Sequence, residues 1–309
     1  MIRYAVGRLA QAIPVLWVVA TLTFVMLRLL PGGPFDREKA LPDEILRNIE
    51  ARYHLDEPLL QQYGRYLNGI VRGELGPSYK YIGRDVADIL ADSLPVSAAL
   101  GATALLLSLG VGVSTGLAAG VRAGSNTDRG LMLVSLLGVS VPSFVLGAAL
   151  VMGVGLWLGW FPAALWESPT HLVLPALTLA ALPTAYIAQL TRTSVLDVVD
   201  LDYVRTARAK GLSERRVRWL HVLRNALLAV VTYFGPLLAI LLTGSFVVEQ
   251  IFAIPGMGRF FVTAVTNRDY PLIIGVTLVY ALLVVFANLL VDLLYAWLDP
   301  RIRLGGDPR

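Results

Sequence analysis

The 309-residue sequence contains no cysteine and only three histidines, which excludes several kinds of chemistry. Without cysteine the chain forms no disulfide and offers no thiolate ligand or nucleophile. His54, His171 and His221 lie too far apart in the sequence to indicate a metal site. The motifs G-x-x-x-x-G-K-[ST] and H-E-x-x-H, typical of P-loop nucleotide binding and of zinc proteases, are also missing. We therefore expect no catalytic residue, metal or cofactor on this chain, and any ATP hydrolysis must occur on a separate polypeptide.

Charged residues are scarce as well: 16% of the residues are charged and 56% are hydrophobic, whereas a soluble domain carries about 25% charge. This composition predicts a membrane-embedded, all-α protein. A membrane-spanning helix needs about 20 apolar residues, and we interpret prolines inside such stretches as kinks. Six stretches are long enough to be transmembrane helices: Leu9–Leu27, Leu94–Val121, part of Leu131–Trp157, His171–Leu190, Ala226–Val248 and Tyr270–Val291.

Basic residues concentrate on one side of these six predicted spans. With the N-terminus in the cytoplasm, the inside segments hold Arg3, Arg8, eight basic residues between 192 and 224, and three in the tail 299–309. The short outside loops hold only two arginines. Because cytoplasmic loops carry the excess of Lys and Arg, we expect both termini to be cytoplasmic. The first stretch lacks a small-x-small cleavage site, so we interpret residues 1–30 as a cytoplasmic end and an uncleaved first helix.

The segment 31–93 is the only long outside region, and it has helical signals of its own. Apolar residues share one face after Pro42 and again after Pro58, and a third short stripe comprises Val86, Ile89 and Leu90. We predict a helical cap on the outer surface, followed by a membrane core over 94–298. A connector that only packs against the core is the alternative.

The cytoplasmic loop 191–225 is basic and amphipathic. Leu196, Val199 and Tyr203 have helical spacing, Gly211 stands where a left-handed helix cap is expected, and Ser213 is placed to cap a second helix. This pattern predicts a helix–glycine–helix element that binds a partner protein through one face. A loop that only sets topology and contacts lipid headgroups is the alternative. Nucleic-acid binding is not expected, because the chain has neither a reader domain nor a long basic arm.

At this loop the sequence resembles the inner-membrane permease subunits of binding-protein-dependent ABC importers. Their loop pattern is E-A-A-x-x-x-G-x₉-I-x-L-P, of which Ala207, Gly211 and Leu223 match. The string "RTARAKG" at 205–211 is typical of the peptide/nickel branch, as are "EQIFAIPGMGRFFVTAVTNRDYP" and "NLLVDLLYAWLDPRIR". The resemblance covers essentially the whole chain. The strings "LPDEILRNIEARYHLDEPLLQQY" and "WLGWFPAALWESPTH" are most similar to the B-type subunit of oligopeptide permeases.

The resemblance implies a type I ABC importer permease in a bacterial inner membrane. Its partners would be a paralogous six-span permease, two P-loop ATPase subunits carrying ATP and Mg, an extracytoplasmic peptide-binding protein, and membrane lipid. The loop would dock on an ATPase subunit and couple its closure to alternating access. The residues implied in docking are Tyr203, Val204, Arg205, Thr206, Ala207, Arg208, Lys210, Gly211 and Leu223, with Tyr203, Val204 and Ala207 as the apolar contacts.

Two further groups of residues are candidates for function. Gly112, Gly116 and Gly120 form a small-residue face that suits either subunit pairing or internal packing. Candidates for the translocation pathway are Glu249, Asn288 and Asp292, although hydrogen bonding near a helix end is an alternative for the last two.

Other cargoes and other transport classes stay open at this point. Dipeptides, glutathione and nickel are alternative cargoes within the branch. A gradient-driven secondary transporter should show internal repeats and charged pairs within the membrane. A membrane enzyme would need a nucleophile and a base at bilayer depth, and the sequence offers no such pair.

Overall fold

The computed structural model describes residues 2–30, 33–35 and 43–298, and within these ranges the regular structure is helical apart from one isolated bridge between Pro77 and Asp85. The all-α prediction is confirmed. The first half of the chain comprises α1 (Ile2–Leu29), α2 (Asp43–Arg52), α3 (Leu59–Arg72), α4 (Val86–Val121), α5 (Asn126–Ser140) and α6 (Ser143–Leu150), which continues as a π-helix (Val151–Trp157). After a short 3-10 turn (Pro169–Leu172), the second half comprises α7 (Val173–Val199), α8 (Asp202–Ala209), α9 (Glu214–Arg216) with a π-helix (Val217–Leu223), α10 (Arg224–Thr232), α11 (Phe234–Ile251), α12 (Met257–Asn267) and α13 (Tyr270–Leu298).

Four helices in the described residues are long and apolar enough to cross a membrane: Ala10–Leu29, Val86–Val121, Pro169–Val199 and Tyr270–Asp292. The pair Asn126–Ser140 and Ser143–Trp157 makes a fifth span if it is counted as one, but it bends by 102°. We predicted a single stretch there, with Pro142 as a kink. Instead α5 ends at Ser140, because Val141 before the proline takes an extended conformation (φ −89°, ψ 118°). The predicted span Ala226–Val248 is divided between α10 and α11 at Tyr233.

The second predicted span begins earlier than its apolar run suggests. Helix α4 has 36 residues, which is about 54 Å at 1.5 Å per residue and longer than the hydrocarbon core. The stripe of Val86, Ile89 and Leu90 is its first part and is buried against Met257 and Leu272. These three residues are therefore not a separate cap helix, and the boundary we placed at residue 93 lies inside α4.

Close packing of α4 against α7 forms the centre of the fold. Gly112, Gly116 and Gly120 all face α7: a Cβ on Gly112 would lie 2.8 Å from Ile187 Cβ, and one on Gly120 would lie 2.7 Å from Val195 Cγ1. This small-residue face is therefore occupied by a helix of the same chain. The string G-V-S-T-G at 112–116 matches the nucleophile motif G-x-S-x-G by letters alone, since it lies inside α4 and not at a strand–helix turn.

The predicted helices of the 31–93 segment are present as α2 and α3. Aromatic rings join α3 to α1: the ring of Phe24 lies 5.3 Å from that of Tyr63 and 5.6 Å from that of Tyr66. Burial raises the pKa of the Tyr66 hydroxyl, so this side chain stays neutral. The buried Asp269, just before α13, accepts hydrogen bonds from the Ser78 hydroxyl and from the Tyr79 amide at 3.1 Å. The segment is thereby attached to the start of α13.

Candidate functional site

The loop between α7 and α10 contains the glycine turn that the sequence predicts. Helix α8 ends with a hydrogen bond from the Gly211 amide to the Arg208 carbonyl at 2.9 Å, and Gly211 has φ +78°. An L-residue rarely adopts this conformation. Space is not the constraint, because nothing lies within 4 Å of a Cβ at Gly211. Ser213 precedes α9 but its side chain makes no capping hydrogen bond.

One face of α8 is buried against the rest of the chain. Val204 and Ala207 are 0% and 4% exposed, and they share a hydrophobic cluster with Val195, Val217 and Leu223. We expected Val204 and Ala207 to be apolar contacts with a partner. Their burial shows that they instead fasten α8 to the end of α7 and to the π-helix before α10. Leu223 has the same anchoring position.

The opposite face of α8 is exposed and polar, with Tyr203, Arg205, Thr206 and Lys210 at the surface. The Tyr203 hydroxyl donates to the His221 carbonyl at 3.2 Å and accepts from Asn225 Nδ2 at 2.7 Å. Tyr203 therefore combines an exposed ring with a fixed orientation.

Arg208 has an internal role at the turn. Its Nε atom donates to Glu214 Oε1 at 3.1 Å, and its Nη1 atom donates to the Val199 carbonyl at 3.4 Å. These contacts connect α8 with α9 and with the end of α7. Among the three cations that the resemblance assigns to docking, Arg205 and Lys210 are the more exposed ones.

The structure adds an aromatic surface that sequence reasoning missed. Trp219 and Leu220, both in the π-helix, are 56% and 54% exposed and lie next to exposed arginines. An open groove of about 710 Å³ runs beside them and is lined by Tyr203, Leu212, Arg216, Leu220, His221, Arg224, Asn225 and Leu228. The signal was present in "RRVRWLH", where two large apolar residues stand between basic ones. Together these residues form a basic surface with aromatic and apolar side chains.

An ion pair connects the start of α5 to the second half of α7. Arg192 donates from Nε to Asp128 Oδ1 at 2.6 Å and from Nη2 to Asp128 Oδ2 at 2.8 Å. The Asp128 carboxylate also accepts from the Gly124 amide at 2.9 Å. Asp128 is 3% exposed. Arg192, which we counted among the topology-determining basic residues, therefore has a specific partner.

Glu249 lies in the interior, where it joins three elements. Its side chain is 0% exposed. Oε1 accepts from the Ser97 hydroxyl of α4 at 2.7 Å, and Oε2 accepts from the Arg259 amide of α12 at 3.1 Å. A Cβ on Gly258 would lie 3.0 Å from Oε2, so the glycine permits this approach. In this arrangement Glu249 supports the "IFAIPGMG" turn and has no surface facing a pathway.

The other two pathway candidates lie together near the end of α13. Asp292 Oδ2 forms an ion pair with Arg8 Nη2 at 2.9 Å, which connects α13 to α1. Asn288, one turn earlier, is exposed. The described part of the chain contains no group of three or more His, Cys, Asp or Glu residues that could hold a metal ion.

Comparison with known proteins identifies the family. The family model described as "Binding-protein-dependent transport system inner membrane component" matches residues 112–304, and the corresponding N-terminal model matches residues 1–101. The chain is 45% identical over 304 residues to the dipeptide transport system permease protein DppB of Bacillus subtilis, covering 98% of this chain and 99% of that protein. It is 43% identical over 305 residues to the oligopeptide transport system permease protein OppB of Haemophilus influenzae, covering 98% and 100%.

Solved structures support the fold. A chain of the MetNI methionine ABC transporter, in an inward-facing conformation, aligns with a TM-score of 0.56 at 15% identity, covering 68% of this chain and 96% of that chain. At this identity the likeness concerns the fold alone. The apolar helices and the family matches agree on a multi-pass inner-membrane protein. The chain belongs to the family of binding-protein-dependent transport system inner membrane components.

Proposed function

We propose that this chain is a transmembrane subunit of an ATP-driven importer of oligopeptides and couples ATPase closure to alternating access. The single observation that carries the coupling role is the loop, whose exposed basic and aromatic surface is fastened by Val204 and Ala207 to both α7 and α10. A force on this surface is therefore passed to two helices of the membrane core. Peptide cargo is supported by the relatives, which are named as dipeptide and oligopeptide permeases.

The complete complex in this proposal has separate parts for energy and for selection. ATP and Mg bind to two P-loop ATPase subunits, a paralogous permease supplies the other half of the pathway, and an extracytoplasmic peptide-binding protein delivers cargo. Both termini and the loop between α7 and α10 face the cytoplasm, and the segment 31–93 faces outward. Dipeptides, glutathione and nickel are the alternative cargoes.

Docking is tested with a charge-reversal pair and a matched control. Because each exposed ion pair contributes only ~0–1 kcal/mol, we combine Arg205→Glu with Lys210→Glu. Both residues are exposed on the loop, so the chain should still insert and fold. We expect the variant to lose ATPase subunits during purification from membranes and to lose uptake of a labelled tripeptide. Arg129→Glu, at an exposed site on α5, reverses a charge outside the loop and should change neither.

Two outcomes would overturn the proposal. Retention of both ATPase subunits by the double variant would contradict docking through this surface. Purification of the wild-type chain without an ATPase, in a state that still imports peptide, would favour a gradient-driven transporter. Parallel uptake of labelled nickel, glutathione, a dipeptide and an α-linked tripeptide by the wild-type complex decides between the cargoes.

A further inference from the structure

Most of the exposed surface of the predicted spanning helices is apolar. On α5 the exposed side chains include Leu133, Val134 and Leu137. On α1 they include Ile13 and Trp17. Such surfaces are compatible with lipid tails, since they expose few groups that need a hydrogen-bond partner.

The second half of α7 is different, because its outward side carries polar groups. Tyr186 is 41% exposed, Gln189 is half-buried, and Thr193 is exposed. These residues stand at i, i+3 and i+7, so they share one face of the helix. The stripe carries no charged residue before Asp197 near the end of α7.

Neighbouring groups from the second half of the chain extend this stripe. Thr232, the last residue of α10, is exposed, and Tyr233 follows it at the break before α11. The rings of Tyr186 and Tyr233 lie 6.0 Å apart at an interplanar angle of 41°. The polar stripe of α7 is thus joined to a second polar edge at the break between α10 and α11.

The polar stripe crosses the cytoplasmic end of the predicted span His171–Leu190. Tyr186 is 13 residues before the end of α7 at Val199, which corresponds to about 20 Å along the axis. The predicted span ends at Leu190, so Tyr186 lies one helical turn inside the hydrocarbon core, and Thr193 lies just beyond it on the cytoplasmic side. Polar side chains at such depth face the protein interior or water, because hydrocarbon cannot satisfy them.

We propose that Tyr186, Gln189, Thr193, Thr232 and Tyr233 form a hydrated wall of the translocation pathway and contact the peptide during import. This inference rests on the proposed function and names the cargo-facing residues of the same subunit. As pathway candidates these five residues take the place of Glu249, which is buried within the chain, and of Asp292, which is paired with Arg8.

The chemistry of the wall suits the backbone of a peptide more than any particular side chain. The Thr193 hydroxyl donates to the Gln189 carbonyl at 3.1 Å, and the Thr232 hydroxyl donates to the Leu228 carbonyl at 2.9 Å. Each oxygen therefore remains available to accept from a peptide N–H group. The Gln189 amide can both donate and accept. A wall without charge neither selects nor repels a charged side chain, so it suits cargo of varied sequence.

The absence of cysteine makes a direct test possible. Single cysteines are introduced by Tyr186→Cys, Gln189→Cys and Thr193→Cys, with Leu133→Cys and Leu137→Cys as matched controls on the apolar face of α5. Each variant is assembled with its partners in membranes without nucleotide. It is then treated with a charged, water-soluble methanethiosulfonate, and labelling of this chain is followed by mass. We expect the three wall positions to react at least tenfold faster than the controls, and a saturating peptide to slow them.

Each result decides one part of the proposal. Reaction rates at the wall equal to those of the controls would overturn it, as would rapid labelling that peptide leaves unchanged. Thr193→Cys replaces a side chain of similar size, so slower labelling of this position in the presence of peptide keeps the test informative if the larger replacements fail to assemble. If the wild-type complex imports no peptide, the proposed function fails, whereas the contrast between α7 and α5 still reports whether the face is hydrated.

Discussion

The packing of α4 on α7 leads to a quantitative prediction at Gly116. A Cβ atom there would lie 2.6 Å from Thr191 Cβ and 3.0 Å from the Arg192 amide nitrogen, and it would also touch the Ala188 carbonyl. Carbon atoms in favourable contact are about 3.5–4.0 Å apart. Two of these neighbours are backbone atoms, so a change of rotamer cannot make room. Gly116→Ala must therefore push α4 away from α7.

The expected cost follows from two opposing terms. Overpacking a tight interface costs about 1–3 kcal/mol, whereas replacing glycine by alanine inside a helix contributes about 0.5–1 kcal/mol of stability. The difference between the two terms lowers the expected free energy of unfolding of Gly116→Ala by about 0–2.5 kcal/mol, with a middle value of about 1 kcal/mol. The measurement is the unfolding transition of the purified chain in mixed detergent micelles, read by circular dichroism.

Gly110 in the same helix supplies the matched control. Nothing lies within 4 Å of a Cβ at this position, so Gly110→Ala gains the helix stability of alanine without the cost of overpacking. It should leave stability unchanged or raise it. Equal transitions for Gly110→Ala and Gly116→Ala would refute the reasoning that the glycine row exists to bring α4 and α7 together.

Three further predictions concern single contacts. The Gly211→Arg variant should insert normally and abolish peptide uptake, because it strains the left-handed turn at φ +78° and adds a bulky cation to the docking surface. A transport assay in a complemented strain measures this uptake. Normal uptake would contradict the coupling role. Asp128→Asn should lower the melting temperature in detergent, since it weakens the two-bond pair with Arg192. If the two side chains are paired, Asp128→Asn should lower the melting temperature less in a chain that also carries Arg192→Lys. A larger decrease in that chain would argue against the pairing. Asp269→Ala should speed proteolysis within 43–85, because it removes the acceptor for Ser78 and Tyr79; an unchanged digestion pattern would show that other contacts hold the segment.

Local signals in the sequence were sufficient to predict the structure where a single residue determines the backbone conformation. Gly211 follows an amphipathic run, and the left-handed cap found there is what that position favours. Pro142 was harder, because prolines at positions 14 and 183 remain inside continuous helices. What separates Pro142 is the extended conformation of Val141 and the 102° change in direction. That choice depends on packing between α5, α6 and α7, which no local pattern records.

Contacts between residues that are distant in the sequence could not be predicted in the same way. The stripe of Val204 and Ala207 revealed an apolar face, but not whether a separate subunit or the chain itself covers it. Val217 and Leu223 cover it, and their pairing depends on the turn at Gly211. Glu249 is a similar case, because its acceptor role requires Ser97, which is 152 residues away. A buried carboxylate and one that lines a pathway look alike in a single sequence.

The proposed docking surface is packed against α7 and α10, the two helices that carry most of the proposed pathway wall, and this arrangement has a mechanical consequence. Helix α8 is fastened to the end of α7 and to the segment that leads into α10 through the cluster around Val204. Farther along those helices lie Tyr186 and Tyr233, in ring contact across the α7–α10 boundary. An ATPase that moves the loop must therefore either carry both helices together or separate the two rings. Only the second motion changes the wall, so we expect the distance between these rings to differ between nucleotide states. A bifunctional thiol crosslinker that joins Tyr186→Cys to Tyr233→Cys should block import while leaving ATPase docking intact.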